Sequence, residues 1–366
     1  MPESCTSARW RAAFAAAVLT VVIVAIIVAG AFFMGLWTVR NAIDGGALNC
    51  SAVAPLPVTP RPFVGAAATG TPRYRPDLAL SLLQFVSAAY LSVCGEESER
   101  ERATRLVVTP SGPGVTATEW RRVGTFVGNA APAIGGGADE TYGYAWLGHP
   151  AGSTGGAPVL VFAFRGTLSL AGWIADFKFP QQKSVVLAGA PVPAGLVSAL
   201  GATGASVPMA HQGFENLYLT MRQTVIAVAR RHPAARVLVC GHSLGGALAS
   251  FAAADIGLRG GVAANGGGAP RSLSSYTYGC PRIGNGALAA AWTAAVPDGW
   301  RVANTADAVP TVPPPGIDDF GYVHTPQRHE FYLQNRGVLG NHSINTAYTP
   351  GLEREMRLAA RAKRSD

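Results

Sequence analysis

The chain has 366 residues, of which 49% are hydrophobic, and its formal net charge is +8 from 29 basic and 21 acidic residues. This length suffices for one large domain with appendages, and the apolar content suffices for a sizeable core. The basic residues form neither a lysine-rich stripe nor an alternation with aromatic residues, so the sequence disfavours nucleic-acid binding. No Cys/His spacing resembles a metal site, and the sequence implies no metal or organic cofactor.

Residues 12–39, which follow a short tail of residues 1–11, are almost uninterrupted apolar sequence and are long enough to cross a bilayer. Trp10 and Trp37 lie near the two ends, as interfacial anchors do. The alternatives are a cleaved export signal and a buried core helix. The run is longer than a signal's apolar region and lacks a clean cleavage site, and it has no polar face. We therefore expect one retained transmembrane helix and a single-pass membrane protein.

Three further regions follow the span. Residues 40–75 are predicted to be a linker rich in Pro, Gly and Ala that holds the globular part off the membrane. The globular domain is predicted to cover residues 76–350, and residues 351–366 are interpreted as a basic C-terminal tail. Of the five cysteines, Cys240 and Cys280 end predicted core strands and are expected to be buried free thiols.

Helices and strands alternate from Pro76 onward. The spacing of apolar residues from Leu78 to Ala89 predicts a first helix, with Asp77 as its candidate cap. Strands are predicted at residues 159–164, 237–240, 275–278 and 300–303, and helices over an apolar face from Phe214 to Val228, over 246–258 and over 287–295. Apolar strands alternating with helices predict an α/β fold whose mostly parallel central sheet is covered on both faces.

The residues Gly241–Gly245 read Gly-His-Ser-Leu-Gly, a G-x-S-x-G pattern. In a nucleophile elbow, this pattern places a serine on a strained turn between a strand and a helix. The alternative is a tight glycine-rich turn with an incidental serine. The predicted strand before the pattern and the predicted helix after it favour the elbow, so Ser243 is the candidate nucleophile.

A nucleophilic serine needs a base and an acid that orients the base, and in α/β-hydrolases these follow in the order acid, then histidine. Asp307 stands out because it follows the predicted strand 300–303, at the sheet edge where active sites form. The histidines beyond Ser243 are His324, His329 and His342, and periodicity does not choose among them. His242, inside the elbow, is sterically unable to serve as the base.

Stabilisation of a developing oxyanion requires two N–H donors. The backbone N–H of Leu244, next to the nucleophile, is one candidate. The second is expected on a loop after an earlier strand, and Thr167 follows the predicted strand 159–164.

Residues 76–350 resemble the fungal-type class 3 lipases. The matching stretches are Val161–Thr167, Gly172–Phe177, His211–Phe214, Gly241–Leu248, Tyr276–Asn285, Asn304–Pro310 and Asn341–Tyr348. The resemblance implies an α/β-hydrolase fold with Ser243 as nucleophile, Asp307 as orienting acid and His342 as general base. It also implies Thr167 and Leu244 as oxyanion donors, and a lid and substrate groove with Leu168, Trp173 and Ile174. A family histidine that is usually not catalytic corresponds to His324.

The resemblance implies a hydrolase of lipid esters, triacylglycerol or diacylglycerol, with no cofactor. The predicted span adds a membrane anchor, which is not a general feature of the family. A phospholipase, a soluble-ester esterase, an acyltransferase and a catalytically silent lipid-binding or scaffold protein are the alternatives. The basic residues before the span favour a lumenal or extracellular domain. A glycosylation sequon at Asn341, beside the candidate base His342, opposes that placement because a glycan there would obstruct the site.

Overall fold

The computed structural model describes residues 72–91, 106–109, 118–130, 138–150, 156–167, 180–202, 206–260, 272–315, 321–325, 327–335 and 337–365. The predicted tail 1–11, the predicted span 12–39 and the linker up to residue 71 lie outside these residues. All described residues belong to one unit of the chain, residues 50–167 and 178–366. In that described part, no helix combines the length and the apolar character that a membrane crossing needs.

A single eight-stranded sheet organises the fold, in the order β1-β2-β3-β4-β7-β8-β9-β10, and β5 and β6 form a separate two-stranded sheet. The strands are β1 Leu106–Thr109, β2 Thr118–Asn129, β3 Asp139–Gly148, β4 Val159–Phe164, β5 Gln181–Lys183, β6 Met209–His211, β7 Arg236–His242, β8 Leu273–Tyr278, β9 Asp298–Asn304 and β10 Arg328–Phe331. Strands β4, β7, β8, β9 and β10 are parallel to one another. Strands β1 to β4 pair antiparallel.

The parallel half of the sheet confirms the predicted strands, and the antiparallel half was not predicted. Strand β4 has the predicted bounds, and its six residues are all buried, as expected for a strand covered on both faces. Strands β2 and β3 extend the sheet on the other side of β4 and add Trp120 and Trp146 to the core. The sheet is therefore mixed, with its parallel strands on the side that carries the G-x-S-x-G turn.

Helices cover both faces of the sheet. They are α1 Pro76–Tyr90, α2 Ala194–Ala199, α3 Gln212–Arg231, α4 Leu244–Arg259, α5 Gly286–Ala295, α6 Gly337–His342 and α7 Thr349–Ser365. The face of α3 predicted from Phe214 to Val228 is buried, which confirms the helical periodicity. Asp77 is not the cap of α1: the helix begins at Pro76, and the Asp77 carboxylate accepts a hydrogen bond from Arg75 Nη2 at 2.6 Å. Cys240 and Cys280 are buried free thiols, as predicted.

The C-terminal helix α7 belongs to the packed fold. It begins at Thr349, inside the predicted domain, and continues through the stretch interpreted as a tail. Leu352 is fully buried in the core cluster that also contains Leu78 and Phe85 of α1. The core therefore extends past residue 350, while the outer face of α7 is basic and exposed.

This packing predicts a difference between two leucines of the same helix. Leu352 is fully buried, whereas Leu358 is 55% exposed. We expect Leu352→Ala to lower the free energy of unfolding by about 2–5 kcal/mol, because it leaves a cavity in the core. We expect Leu358→Ala to change it by less than about 0.5 kcal/mol. Denaturant titration of both variants measures the difference, and equal effects would contradict the placement of α7.

Candidate active site

Ser243 lies in a strained turn between β7 and α4. Its backbone has φ 59° and ψ −129°, and it is the one non-glycine residue with positive φ in the described part of the chain. Such a conformation costs about 1–3 kcal/mol and persists only where the surrounding structure enforces it. Ser243 is buried, and its Oγ has no hydrogen-bond partner among the described residues. Strand, strained serine turn and helix on parallel strands have the geometry of a nucleophile elbow.

Both glycines of the elbow are required by close backbone approach. A Cβ at Gly241 would overlap the carbonyl of Gly245, and a Cβ at Gly245 would overlap the carbonyl oxygens of Phe164 and Arg165. The turn therefore packs against the end of β4, and no side chain larger than hydrogen fits at either flank. The alternative of an incidental serine does not explain why Ser243 itself is strained.

Asp307 and His342 form a buried pair at the same sheet edge. Asp307 follows β9, and His342 is the last residue of α6. The Nδ1 atom of His342 donates to Asp307 Oδ2 at 2.7 Å, while Oδ1 accepts from the backbone N–H of Val309 at 2.9 Å. Because Nδ1 carries the proton, Nε2 of the neutral ring is an acceptor. That Nε2 is buried and has no hydrogen-bond partner among the described residues.

Gly279, directly after β8, leaves space for this pair. Its φ is +55°, and a Cβ there would lie 2.9 Å from His342 Cε1 and 3.0 Å from Asp307 Oδ2. The ring of His342 also lies 4.4 Å, centroid to centroid, from the ring of His242 inside the elbow. The candidate base therefore lies beside the turn that carries Ser243.

Tyr348 is a second side-chain donor to the Asp307 carboxylate. It ends a one-turn π-helix, Ile344–Tyr348, and its hydroxyl donates to Asp307 Oδ2 at 2.7 Å. Burial raises the pKa of Tyr348 well above 10, and the charge of Asp307 raises it further, so the hydroxyl stays protonated and donates. Tyr348 lies in one of the stretches that resemble the lipase family, but a single sequence does not show that Tyr348 and Asp307 touch.

We expect Tyr348→Phe to lower kcat about tenfold with little change in KM. A hydrogen bond to a charged group contributes about 1.5–3 kcal/mol in general. Part of this free energy positions the Asp307 carboxylate, which in turn orients His342. Tyr218→Phe is the matched control, since it removes a similar bond, 2.9 Å from Tyr218 to Asp255, away from the site. Steady-state kinetics measures kcat and KM of both variants, and their unfolding midpoints measure the accompanying loss of stability. An equal loss of kcat in both would contradict a positioning role for Tyr348.

His242 is not positioned as the base. Its ring makes a hydrogen bond to the backbone of His342, the candidate base. Its Nε2 donates to the carbonyl of His342 at 2.7 Å, so its Nδ1 accepts from the Tyr90 hydroxyl at 2.8 Å. Burial lowers the pKa of His242 well below 6.5, and His342 lowers it further. Both nitrogens of a neutral ring are therefore engaged, and Tyr90 links helix α1 to this network.

The loop that carries Thr167 is held in place by buried Arg165. The guanidinium donates to the carbonyls of Thr141 and Gly166 at 2.8 and 2.9 Å, and to Glu140 at 2.8 Å. Gly166 approaches the elbow so closely that a Cβ there would lie 2.8 Å from Ser243 Cβ. On the other side, Leu244 is the first residue of α4, where backbone N–H groups have no partner within the helix. The predicted lid residues Leu168, Trp173 and Ile174 lie outside the described residues.

The other two candidate histidines and the buried acid Asp255 have other partners. Asp255 is buried and accepts from Arg222 and Arg259 at 2.7 and 2.9 Å. His329 contacts Glu355 at 2.8 Å, on the far edge of the sheet. His324 donates to the carbonyl of Pro310 at 2.7 Å, and its pKa falls to about 3, mainly through burial. In the described part of the chain, no group of three His, Cys, Asp or Glu residues is arranged to hold a metal ion.

Residues 161–316 match the family model of "Lipase (class 3)". The secreted mono- and diacylglycerol lipase 1 of Fusarium solani is 32% identical over 166 residues, which cover 45% of this chain and 42% of that protein. The phospholipase A1-II 7 of Oryza sativa subsp. indica is 30% identical over 268 residues, covering 58% and 61%. The chain thus spans about half the length of the curated relatives that it matches.

Among solved structures, the Rhizomucor miehei lipase–propeptide complex is similar, with 23% identity, a TM-score of 0.41, and coverage of 58% of this chain and 57% of that one. The family match begins within β4, includes Ser243 and Asp307, and stops before His342. Residues 161–316, somewhat less than half of the chain, are thus similar to the class 3 lipase family.

Proposed function

We propose that this chain is a membrane-anchored serine hydrolase that cleaves carboxylic esters of lipids, with mono-, di- or triacylglycerol as its substrate class. One observation carries the proposal. The buried Asp307–His342 pair leaves His342 Nε2 as an acceptor beside the serine turn, and among the described residues neither this Nε2 nor Ser243 Oγ has a hydrogen-bond partner. Nucleophilic catalysis by serine requires an oriented base close to the serine hydroxyl, and this separation is often looser than a hydrogen bond when no substrate is bound.

In the proposed mechanism, His342 Nε2 takes the proton of Ser243 as Oγ attacks the ester carbonyl. Asp307 keeps the imidazole in its Nδ1–H tautomer and stabilises the imidazolium that forms. The protonated His342 then gives its proton to the departing alcohol, which leaves an acyl group on Ser243. A water molecule, deprotonated by His342, attacks this acyl-enzyme and releases the fatty acid.

The proposed oxyanion hole lies between the start of α4 and the loop after β4. The N–H of Leu244 is one donor, and its position at the helix N-terminus adds a favourable dipole. Thr167 supplies the second, and its loop is fixed by Arg165 through two carbonyls. Losing one donor of this kind typically costs about 3–4 kcal/mol of transition-state stabilisation.

The proposed substrate class follows from the relatives and from the sequence. The mono- and diacylglycerol lipases of Fusarium solani and Penicillium cyclopium carry that activity in their names. We extend it to this chain, with Leu168, Trp173 and Ile174 as the apolar lid and groove. The span 12–39 would hold the domain at a membrane surface, where such esters are found.

We propose a lumenal or extracellular domain, in line with the secreted relatives. This placement requires that the sequon at Asn341 stays unglycosylated. Asn341 is buried, its Oδ1 accepts from the backbone N–H of Asn335 at 2.6 Å, and its carbonyl accepts from Asn304 at 3.0 Å. A glycan on this side chain is incompatible with the packed site.

A phospholipase A1 is the second candidate, because the rice phospholipase A1-II 7 matches a larger share of the chain than the fungal relatives do. A panel of dispersed diolein, triolein, dioleoylphosphatidylcholine and p-nitrophenyl acetate, with product analysis, separates the possibilities. Preferential release of oleate from diolein supports the proposal. Preferential sn-1 cleavage of the phospholipid supports the second candidate, and turnover of the soluble ester alone supports an esterase. No release from any ester by the folded protein would favour a lipid-binding protein.

A further inference from the structure

The side-chain amide of Asn304 connects two loops of the candidate active site. Asn304 is the last residue of β9 and is only 1% exposed. Its Oδ1 accepts from the backbone N–H groups of Ala306 at 3.2 Å and Leu333 at 3.0 Å. Its Nδ2 donates to the carbonyls of Leu333 at 2.8 Å and Asn341 at 3.0 Å. A primary amide offers two donors and two acceptor sites, so this side chain uses its full hydrogen-bonding capacity.

The Oδ1 atom of Asn304 supports the turn that presents Asp307. An asparagine side chain that binds the backbone two residues on, as here with Ala306, closes an Asx turn. The carbonyl of Asn304 accepts from the backbone N–H of Asp307 at 2.9 Å. The N–H of Asn304 donates to the Tyr348 hydroxyl at 3.3 Å, and that hydroxyl donates to Asp307. The direction of the Asp307 carboxylate therefore depends on the conformation of Asn304.

The same amide extends the sheet toward the candidate base. The pairing of β9 with β10 ends at Asn304 and Phe331. Two residues beyond Phe331, the amide binds both the N–H and the carbonyl of Leu333, as a peptide group of a neighbouring strand would. Its second donor bond reaches Asn341, the residue directly before His342.

His342 is held on both sides of its Cα atom. Asn304 binds the carbonyl before it, and His242 Nε2 donates to the carbonyl of His342 itself at 2.7 Å. The ring is held by the 2.7 Å bond from Nδ1 to Asp307. Asn304 and Asp307 lie on one turn, so the acid and the backbone of the base share a single support. In such an arrangement a displacement of about 1 Å can cost about 100-fold in rate.

We propose that Asn304 is a positioning residue that sets the distance between His342 and Asp307. It acts through these two residues and is not itself a catalytic residue. This inference rests on the proposed ester hydrolysis, in which Asp307 orients His342. The competing interpretation is that Asn304 only fastens the chain after β10 to the sheet, which would affect stability and leave the geometry of the pair unchanged.

Asn285 provides a matched control, because it is also a buried asparagine, 2% exposed, that joins distant segments of the chain. It caps helix α5, and its Oδ1 accepts from the backbone N–H groups of Leu288 at 2.9 Å and Met209 at 3.0 Å. Its Nδ2 donates to the carbonyl of Val207 at 3.0 Å. Its three partners lie outside the candidate active site.

The first readout is kinetic. Asn304→Ala and Asn285→Ala are expected to lower the unfolding midpoint by similar amounts, because each leaves buried backbone groups without their partner. Asn304→Ala is expected to lower kcat for ester hydrolysis about 10- to 100-fold with little change in KM, whereas Asn285→Ala keeps the wild-type kcat. Equal kcat values in the two variants overturn the proposal. If Asn304→Ala does not fold, Asn304→Thr provides the comparison, because its hydroxyl can accept from Ala306 but the side chain is too short to bridge Leu333 and Asn341.

The second readout needs no substrate and therefore separates this inference from the proposed function. The Nδ1 proton of His342, hydrogen-bonded to a buried carboxylate, gives a far-downfield proton resonance that is assigned by its loss in His342→Gln. We expect this resonance in the full wild-type chain and in Asn285→Ala, and we expect it to shift upfield or broaden in Asn304→Ala. A displaced resonance supports the proposal even if no tested ester is cleaved. An unchanged resonance in Asn304→Ala overturns it even if the chain hydrolyses lipid esters, and so does the absence of the resonance from the wild type.

Discussion

Ser243→Ala is expected to lower kcat for lipid-ester hydrolysis by about 10⁶-fold, the loss typical of a removed serine nucleophile. The reason is chemical, since alanine offers no oxygen to form the acyl-enzyme. Fold and KM are expected to change little, because the Ser243 Oγ makes no hydrogen bond to the described protein. Single-turnover release of labelled oleate measures the loss. A residual kcat within a hundredfold of wild type would contradict Ser243 as nucleophile.

Ser243→Gly is the informative companion variant. Glycine adopts positive φ at no steric cost, so this change relieves strain of about 1–3 kcal/mol that both serine and alanine carry at φ 59°. We expect Ser243→Gly to be as inactive as Ser243→Ala but more stable, with a higher Tm. Lower stability of the glycine variant would show that the turn is not strained.

Asp307→Asn is the second large effect, an expected loss of about 10⁴-fold in kcat. The asparagine fills the same volume, but it favours the wrong His342 tautomer and lacks the charge that stabilises imidazolium. The carboxylate also accepts from Tyr348 and from the backbone of Val309, so some loss of stability accompanies the change. KM is expected to stay within a few-fold of wild type, because the orienting acid acts mainly in the transition state.

Asp255→Asn is the matched control for Asp307→Asn. Asp255 is also fully buried and accepts from a tyrosine and two arginines. Removing its charge leaves two arginines without their counter-ion, so we expect a loss of stability of about 3–5 kcal/mol with kcat nearly unchanged. Steady-state kinetics at a temperature where both variants are folded makes the comparison. Equal kcat values in the two variants would contradict the role of Asp307 as the acid that orients His342.

Local sequence signals were sufficient for the parallel half of the sheet. Buried strands such as β4 and β7 consist of short apolar runs, and α3 shows a clear helical periodicity. The elbow could be recognised because its G-x-S-x-G pattern lies between a predicted strand and a predicted helix. Apolar runs, helical periodicity and the glycine pattern each lie within a short stretch of the chain, so a single sequence reveals them.

The antiparallel strands β2 and β3 gave no such signal. Strand β2 mixes arginines, glycines and apolar residues, and register shifts interrupt its pairing with β3. Its alternation is therefore irregular, and its burial depends on β4 and on helix α3 across the fold. Strand formation here is determined by tertiary packing more than by local preference.

The sequence likewise did not reveal the hydrogen-bond network around His342, the candidate base. Tyr90 and His242 are 152 residues apart in the chain, and Tyr348 and Asp307 are 41 apart. Spacing does not reveal such contacts, and among three histidines only the family resemblance selected His342. The structure adds the 2.7 Å contact between His342 and Asp307, together with two tyrosine hydroxyls whose positions no local pattern predicts.

Active-site labelling with a long-chain fluorophosphonate in detergent micelles, followed by peptide mass spectrometry, tests the central claim most directly. We expect one adduct, on Ser243, in the wild-type chain. Labelling should be absent in Ser243→Ala, much slower in Asp307→Asn and normal in Asp255→Asn. An adduct on another residue, or none on a folded chain that still releases fatty acid, would contradict the assignment of Ser243, His342 and Asp307 to a common reaction.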